Sequence, residues 1–395
     1  MSILETTIDS IAGLLKNGDY KFSIIVTDIT TGVSLEIAKV ATSMSLSSYR
    51  NGSASVFKFQ IILPEKEQLM FCTGASVAFL IDGKTQFLGV VFTISRDRWN
   101  LYDVTCYDYL RYLKNQVYVF RDKGVPAKEL INDAVEKCGL KLDMNIEVEY
   151  SWKNLEFIHY EKTALDLINW ILGRVVVTSM KANKLTEGIV VIRSSIEKPK
   201  TVEIVYANKN GKDVIISDKS LLTDFTIMED INSKTYTKVW LTYDEGIENG
   251  KKAARIWNNP VALARYGTLT LVKDIPDKSF AKIVGTDTNE SVDVAGESAA
   301  LELDQIASRM VQYYSKPSFT LDFSALGVVG LRAGDYIPID IKGVNIGNVP
   351  VRSGYKFIII DEITHQFKEG AHTMDIRATV AITDVTLEAS VPVKE

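Results

Sequence analysis

The chain reads as a mainly β protein with α+β insertions, and three observations carry that reading. Period-two alternation of apolar and polar residues fills two separated stretches, from Tyr20 to Tyr107 and from Ser318 to about Thr386. Between them the spacing turns helical, with Gly and Pro at the turning points. The two β stretches also follow nearly one script, because Gly74, Val77, Ile81 and Gly83 stand at the spacing of Gly334, Ile337, Ile341 and Gly343. Each block follows an alternating strand, Val56 to Ile61 or Phe319 to Phe323. A hairpin-like pair comes next, with arms Gly89 to Ser95 and Leu101 to Tyr107 in the first, Phe357 to His365 and His372 to Val380 in the second. A doubled β module and chance likeness between alternating strands both explain this match.

Taken in order, residues 1–17 place Ile3, Leu4, Ile8, Ile11, Leu14 and Leu15 on one helical stripe. This amphipathic helix is expected to dock on the body or on a neighbouring subunit. Residues 18–115 carry turn signals at Thr31-Gly32, Asn51-Gly52, Asp82-Gly83 and Arg96 to Asn100, which fits five or six antiparallel strands in a small barrel or sandwich. An α/β insertion is expected over 116–204. Its first helix opens at Pro126, lines Leu130, Ile131, Ala134 and Val135 on one face, and ends in Lys137-Cys138-Gly139. Its second is capped by Thr163, turns Leu165, Ile168, Ile171 and Leu172 inward and is expected to stop at Gly173, before a strand over Gly188 to Ile192.

Strand character returns from Leu221 to Tyr243, where Thr235, Thr237, Val239, Leu241 and Tyr243 alternate against Tyr236, Lys238, Trp240 and Thr242. A helical insertion over 258–317 comprises Pro260 to Tyr266 and Ala295 to Tyr314, the latter with Leu303, Ile306, Ala307, Met310, Val311 and Tyr314 on one stripe. Gly267 and Pro317 stop them. The second β block completes over 318–386, and the tail 387–395 is expected to fray.

At 395 residues the chain suits about two to four domains. Its net charge of -5 comes from 45 basic and 50 acidic residues in mixed order, which leaves no basic footprint for nucleic acid or an anionic membrane. Cys72, Cys106 and Cys138 form no CxxC, which argues against a disulfide scaffold and for a reducing cytoplasm. Met1 to Glu5 has no basic n-region, so no signal peptide is expected. The apolar run Leu167 to Val177 is broken by Asn169, Gly173 and Arg174 and falls short of the ~20 residues of a membrane span. No membrane insertion is expected.

Candidate chemistry is sparse. His159 reads as a satisfied or exposed side chain beside a strand. His365 and His372 face each other across the last hairpin with Asp375 and Glu362 nearby, which suits a polar cross-strand pair or, less completely, a metal site. Cys106 lies in an alternating strand and reads as a small buried hydrophobe. Gly327-Val328-Val329-Gly330 lacks the Lys and following helix of a phosphate loop. Asp287 to Asp293 alternates oxygen ligands as a calcium loop does, but Val292 stands at the turn glycine and Ser298 at the bidentate glutamate. No serine elbow or zinc-protease motif occurs, and no spacing selects a glycosidase pair among the carboxylates. No catalytic, cofactor-binding or metal-ligating set is assigned, and the chain is not expected to be an enzyme. Tyr107 to Asn115 reads either as a barrel-closing element or as a Tyr/Arg interface patch. Trp99, Trp152, Trp170, Trp240 and Trp257 are scattered, against the surface cluster a carbohydrate-binding adhesin needs.

Gly89 to Ser95 leading into Cys106 to Leu113 resembles the hub proteins of contractile phage tails, as does Val117 to Phe120 before the helix at Pro126. The chain is most similar to the late control protein D group of Gram-positive prophages and phage-tail-like bacteriocins. Ser220 to Thr226 is similar to the strand that re-enters that group's first barrel, and Asn232 to Val239 to the opening of its second. Asn258 to Leu271 is similar to its short helix and strand, and Leu331 to Asp335 to the start of its last β segment.

The likeness spans roughly 20–385 and implies two similar antiparallel β-barrel, tube-like domains. The first comprises 18–115 plus about 205–230, and the second 231–257 plus 318–386. It further implies a homotrimer whose six barrels adapt a sixfold tail tube to a threefold central spike. The implied partners are a tube initiator, the spike, and other baseplate and tape-measure components, without specific nucleic-acid binding. Assembly in a bacterial cytoplasm would precede release in a virion or phage-tail-like particle, and the acidic balance suits a conduit that must not retain DNA. The alternatives from other classes are a tail-associated cell-wall hydrolase and a carbohydrate-binding adhesin.

Overall fold

The structure is a computed structural model that describes residues 20–62, 71–121, 126–146, 157–159, 162–181, 189–207, 211–244, 252–275, 304, 307–308, 310–312, 314–341, 356–368, 371–380 and 391–392. The expected N-terminal helix and the Asp287 to Asp293 loop lie outside these residues.

The first β unit contains β1 (Phe22–Thr27), β2 (Ser34–Glu36), β3 (Ala41–Tyr49), β4 (Val56–Ile62), β5 (Ser76–Ile81), β6 (Lys84–Arg96) and β7 (Leu101–Asp108). They neighbour in the order β3-β4-β7-β6-β5-β1-β2, every pair antiparallel. Alternation decides which face is buried: Phe57, Phe59 and Ile61 of β4 turn inward, while Lys58 and Ile62 are exposed. Phe57 stacks on Phe79 with ring centroids 4.6 Å apart, and Phe87 joins them at 5.5 Å. Burying each ring contributes roughly 2–3 kcal/mol, so these aromatics anchor the unit.

The insertion follows as β8 (Val119–Arg121), α1 (Ala127–Lys137), β9 (Lys141–Met144), β10 (Phe157–His159), α2 (Ala164–Lys181), β11 (Val190–Ser194) and β12 (Thr201–Tyr206). α1 and α2 bury Leu130, Ile131, Ala134, Leu167, Ile168 and Ile171 in a core shared with β12 and with Ala54 and Val90 of the first unit. Thr163 and Asp166 cap α2 reciprocally, each side chain accepting the other's backbone N–H at 3.1 and 3.0 Å. α2 does not stop at Gly173 as expected but runs to Lys181. A single glycine costs a helix interior only ~1 kcal/mol, too little to end one against tertiary packing.

The chain continues through β13 (Ile216–Ser217) and β14 (Leu222–Asp230), then β15 (Lys238–Asp244), β16 (Lys252–Asn258), α3 (Pro260–Tyr266) and β17 (Thr270–Ile275). The last strands are β18 (Ser318–Leu326), β19 (Tyr336–Asp340), β20 (Lys356–Lys368), β21 (Ala371–Val380) and β22 (Val391–Pro392). Two expected pairings are corrected. β14 does not rejoin the first unit but pairs with β18, from Leu222 opposite Ala325 to Asp230 opposite Ser318. β15 and β16 do not open the second unit; they form a separate sheet in the order β17-β15-β16-β22. Alternation reports which face a strand buries and leaves its partner open, which is why both assignments failed. The expected fraying of the tail is also corrected at Val391 and Pro392, which pair with Asn258 and Trp257 of β16.

The second unit repeats the first in pairing as well as in pattern. β18-β21-β20-β19 neighbour in the order of β4-β7-β6-β5, and β14 borders β18 as β3 borders β4. A bulge falls between Ala41 and Ser43 of β3, and its counterpart between Leu222 and Asp224 of β14. Another falls between Val91 and Thr93 of β6, and again between Ile360 and Glu362 of β20. β5 and β19 each begin after a left-handed glycine, Gly74 at φ 93 and Gly334 at φ 87. The Gly74 N–H donates to the Val91 carbonyl at 2.8 Å, and that of Gly334 to Ile360 at 2.7 Å. Return bonds run from Val91 N–H to the Ala75 carbonyl and from Ile360 N–H to that of Asp335. Chance likeness between alternating strands gives no reason for two bulges and a glycine clasp to fall alike.

β3 and β20 pair antiparallel from Tyr49 opposite Glu362 to Met44 opposite Phe367, which joins the two units into one 13-stranded sheet. The units differ where β5 continues to the antiparallel β1 while β19 meets the short parallel β13 and a bridge at Gly211. They also differ at the two glycines: a Cβ on Gly334 would lie 2.3 Å from Val191 of β11, whereas none on Gly74 meets an atom within 4 Å. Both alanine variants carry the left-handed backbone cost of about 1 kcal/mol. Gly334→Ala is expected to lower Tm several degrees further than Gly74→Ala in thermal unfolding, because it alone displaces the insertion. Equal losses would contradict the packing of β11 on this turn.

Candidate functional site

The joined sheet has two unlike faces. On one side lie the aromatic core of the first unit and an aliphatic core of the second, the latter built on Leu321, Phe323, Ile358, Ile360, Ile363 and Ile376. On the other side, Asp224, Ser324, Asp375, Thr364 and Ser47 stand opposite one another in turn across β14, β18, β21, β20 and β3. The neighbouring row runs Thr226, Asp322, Arg377, Glu362 and Tyr49. In the first unit Ser45, Lys58, Thr105 and Thr93 continue the face.

These side chains bind each other. Ser47 and Thr364 share a hydroxyl contact of 2.9 Å across the junction, Gln60 donates to Asp103 at 2.7 Å, and Ser324 donates to Asp375 at 2.7 Å. Arg377 pairs with Asp322 at 2.8 Å. Around the two rows, the second unit's part of the face sets Asp224, Asp322, Glu362 and Asp375 beside Arg377. Acids outnumber cations in these rows of the second unit, which disfavours a phosphate backbone there.

Behind the face, three parts of the fold meet at the turn before β19. Arg193 of β11 donates to Glu203 at 3.0 Å and to Asp335 at 3.2 Å, and Arg332 approaches Glu203 at 3.7 Å. Asp335 also accepts the Arg332 N–H at 2.9 Å, and the Ala333 N–H donates to Ser48 of β3 at 3.0 Å. Burial moves the Arg332 guanidinium down to about 10 and raises Asp335. Asp108, at the end of β7, accepts the Ser55 and Leu110 N–H groups at 2.9 and 3.0 Å, and burial pushes its carboxyl up to about 6. A cavity of about 40 Å³ lies beside these groups, room for a few waters and not for a sugar or nucleotide. The arrangement fixes three elements to one another and presents no reacting pair.

The two histidines lie here as well. His365 Nδ1 and His372 Nε2 are 3.0 Å apart, and His365 Nε2 donates to the Leu331 carbonyl at 2.8 Å. That bond leaves His365 Nδ1 as the acceptor, so His372 Nε2–H is the donor. They are diagonal neighbours, His365 opposite Met374 and His372 opposite Phe367. Phe367 stacks on His372 at 4.3 Å, and Gly327 leaves space for that ring, since a Cβ there would sit 2.1 Å from it. Asp375 and Glu362 stand on the opposite, polar face, so the four residues do not converge. Among the described residues no group of three His, Cys, Asp or Glu is placed to hold a metal ion.

Other singled-out residues resolve into packing. Cys106 is buried in the first core, and burial pushes its thiol up, away from the thiolate that nucleophilic chemistry needs. Within Tyr107 to Asn115 a 3-10 turn buries Tyr109, Leu110 and Leu113 against the insertion, the structural of the two readings. His159 lies on β10 beside Val119 of β8. Trp99 is 71 % exposed at the β6–β7 turn, with the Arg98 guanidinium 4.5 Å over its ring. No helix among the described residues is long and apolar enough to cross a membrane. Sequence reasoning missed the Arg193, Arg332, Asp335 and Asp108 cluster. Its one signal was the charge pair flanking Ala333-Gly334 at a strand start.

Burial holds His365 down to about 4 and His372 to about 3. Both folded values lie below the ordinary ~6.5, so the neutral rings contribute fully above pH ~6.5 and lose that contribution as pH falls through these values. Asp108 acts in the opposite sense, contributing below its ordinary value and losing it as pH rises through about 6. In proton NMR the rings of His365 and His372 are expected to keep their neutral shifts down to pH ~5. A midpoint between about 6 and 7 for either would contradict the buried pair.

Comparison with solved structures finds this fold in several tail proteins. The tail protein from Neisseria meningitidis MC58 matches with a TM-score of 0.59 at 11% identity, covering 91% of this chain and 96% of its own. The 43 kDa tail protein of prophage MuSo2 from Shewanella oneidensis gives 0.57 at 11% identity over 91% and 99%. Prophage tail protein gp18 from Listeria monocytogenes EGD-e gives 0.55 at 12% identity over 92% and 95%. At such identities the likeness is one of fold. No curated protein matches the chain by sequence. The YQBQ-like family model matches residues 44–379, from β3 to the end of β21, and the chain belongs to that family.

Proposed function

We propose that the protein is a non-enzymatic structural hub of a contractile phage tail or phage-tail-like bacteriocin, of the late control protein D kind. The observation that carries this reading is the recurrence of one strand order, two bulges and one glycine clasp within a single chain. Two equivalent β units per chain let three chains offer six, which meets a sixfold tail tube on one side and a threefold spike on the other. The polar face lines the conduit: its hydroxyls bind one another, and its acids repel the DNA that passes. Partners are the tube initiator, the spike, and other baseplate and tape-measure components. Assembly takes place in the bacterial cytoplasm before release in the particle.

Two measurements test the reading. Sedimentation of the purified protein, alone or with tube and spike components, is expected to give a three-chain assembly. A chain that stays monomeric and binds neither component would sink the hub. For the conduit face, a gel shift at ~50 mM salt is expected to show no retention of duplex DNA by the wild type and retention by an Asp224→Lys, Asp322→Lys, Asp375→Lys variant. Retention by the wild type contradicts the repulsive face.

A further inference from the structure

The junction of β3 with β20 serves as a template, because each of its two strands has a counterpart whose outer edge is bare. β14 holds in the second unit the place of β3 in the first, down to the bulge. Among the described residues no strand pairs with its outer side. Thr93 to Arg96 of β6 stand where Glu362 to His365 of β20 stand, since both runs begin directly after the equivalent bulge. β5 pairs with β6 only from Lys84 to Val90, so the later residues meet no strand on that side among those described.

Bare edges invite pairing unless a proline, a lysine or shortness blunts them. β14 has nine residues and neither blocking type, and it leaves Phe225 39% and Met228 52% exposed. Its charges, Asp224, Glu229 and Asp230, are all acidic, whereas the end of β6 offers Arg96 and the turn beyond it Asp97 and Arg98. Both edges leave ladder hydrogen bonds to be met, and in the register of the internal junction Arg96 stands diagonal to Glu229.

We propose that β14 of one chain pairs antiparallel with Thr93 to Arg96 of a second copy, in the register of the internal junction. Tyr49 opposite Glu362 becomes Asp230 opposite the partner's Thr93, and the next pairs are Glu229 with Ile94, Met228 with Ser95 and Ile227 with Arg96. The contact joins unlike edges, so it propagates from chain to chain and closes only as a ring. It rests on the hub reading for the count of three chains, which gives six like junctions: three within chains and three between them.

The register supplies its own test. Arg50 N–H donates to the Asp361 carbonyl, so pairs at odd steps from that one, Ser47 with Thr364 among them, lie at non-hydrogen-bonded positions where side chains approach closely. Ser95 and Met228 hold the equivalent positions and are both exposed. In a Cys72→Ser background, Ser95→Cys with Met228→Cys is expected to yield intermolecular disulfides on oxidation, since such Cβ atoms fall within the ~3.5–4.5 Å a bridge needs. Ile94→Cys with Met228→Cys, whose side chains point to opposite faces, is expected to yield few or none. An oligomer in sedimentation that forms no Ser95–Met228 crosslink overturns this pairing and leaves the hub standing. A ladder running past three chains supports the pairing and counts against the trimer. A chain that remains monomeric with tube and spike proteins present overturns both.

Discussion

Backbone hydrogen bonding between β3 and β20 is the interaction on which the rest of the molecule depends. It joins strands more than 300 residues apart in sequence, with Arg50 N–H to the Asp361 carbonyl and the Ser47–Thr364 hydroxyl contact marking its line. Each such bond contributes only ~0.5–1.5 kcal/mol net, but an unmet one in a sheet interior costs more than it would have contributed. The pairing also sets orientation. Because side chains alternate, one register places both apolar cores behind the sheet and every polar row in front of it. A one-residue slip of β3 would turn Leu46 out of its core and Ser47 into it.

Charges buried behind the junction act on specificity more than on stability. Arg193, Arg332, Glu203 and Asp335 come from the insertion and from the turn before β19. Buried ion pairs return little net free energy over apolar packing, yet losing one partner costs about 3–5 kcal/mol. The turn therefore has one place to dock, beside Val191 and under Ser48, and a mispaired unit would strand a charge. The His365–His372 pair works the same way with neutral rings, held by the contact between them and by the Leu331 carbonyl in the turn before β19.

Much of this was legible in the sequence, and what was not has a physical reason. Alternation at Val56 to Ile61 and Phe319 to Phe323 located the central strands, and Gly74 and Gly334 located the clasps, because a left-handed turn leaves a compositional mark. The helix cap at Thr163 was equally readable because it is equally local. Partners were not. Leu222–Asp230 looks alike whether it borders β4 or β18, and Lys238–Asp244 carries no sign that it belongs to a separate sheet. The junction cluster escaped for the same cause: Arg193 and Arg332 are 139 residues apart in number and meet only through the fold. Cys106 could be read as packing because its neighbours in sequence already alternate.

The central claim is that two equivalent units per chain build a closed ring of six. Cryo-electron microscopy of the assembled protein, viewed down its axis, tests it most directly. The account predicts an inner wall of near-sixfold symmetry, with the polar sheet face lining the bore and the three α/β insertions repeating with threefold symmetry. An inner wall of plain threefold symmetry, with the two units of each chain at different radii or the polar face turned outward, would contradict it.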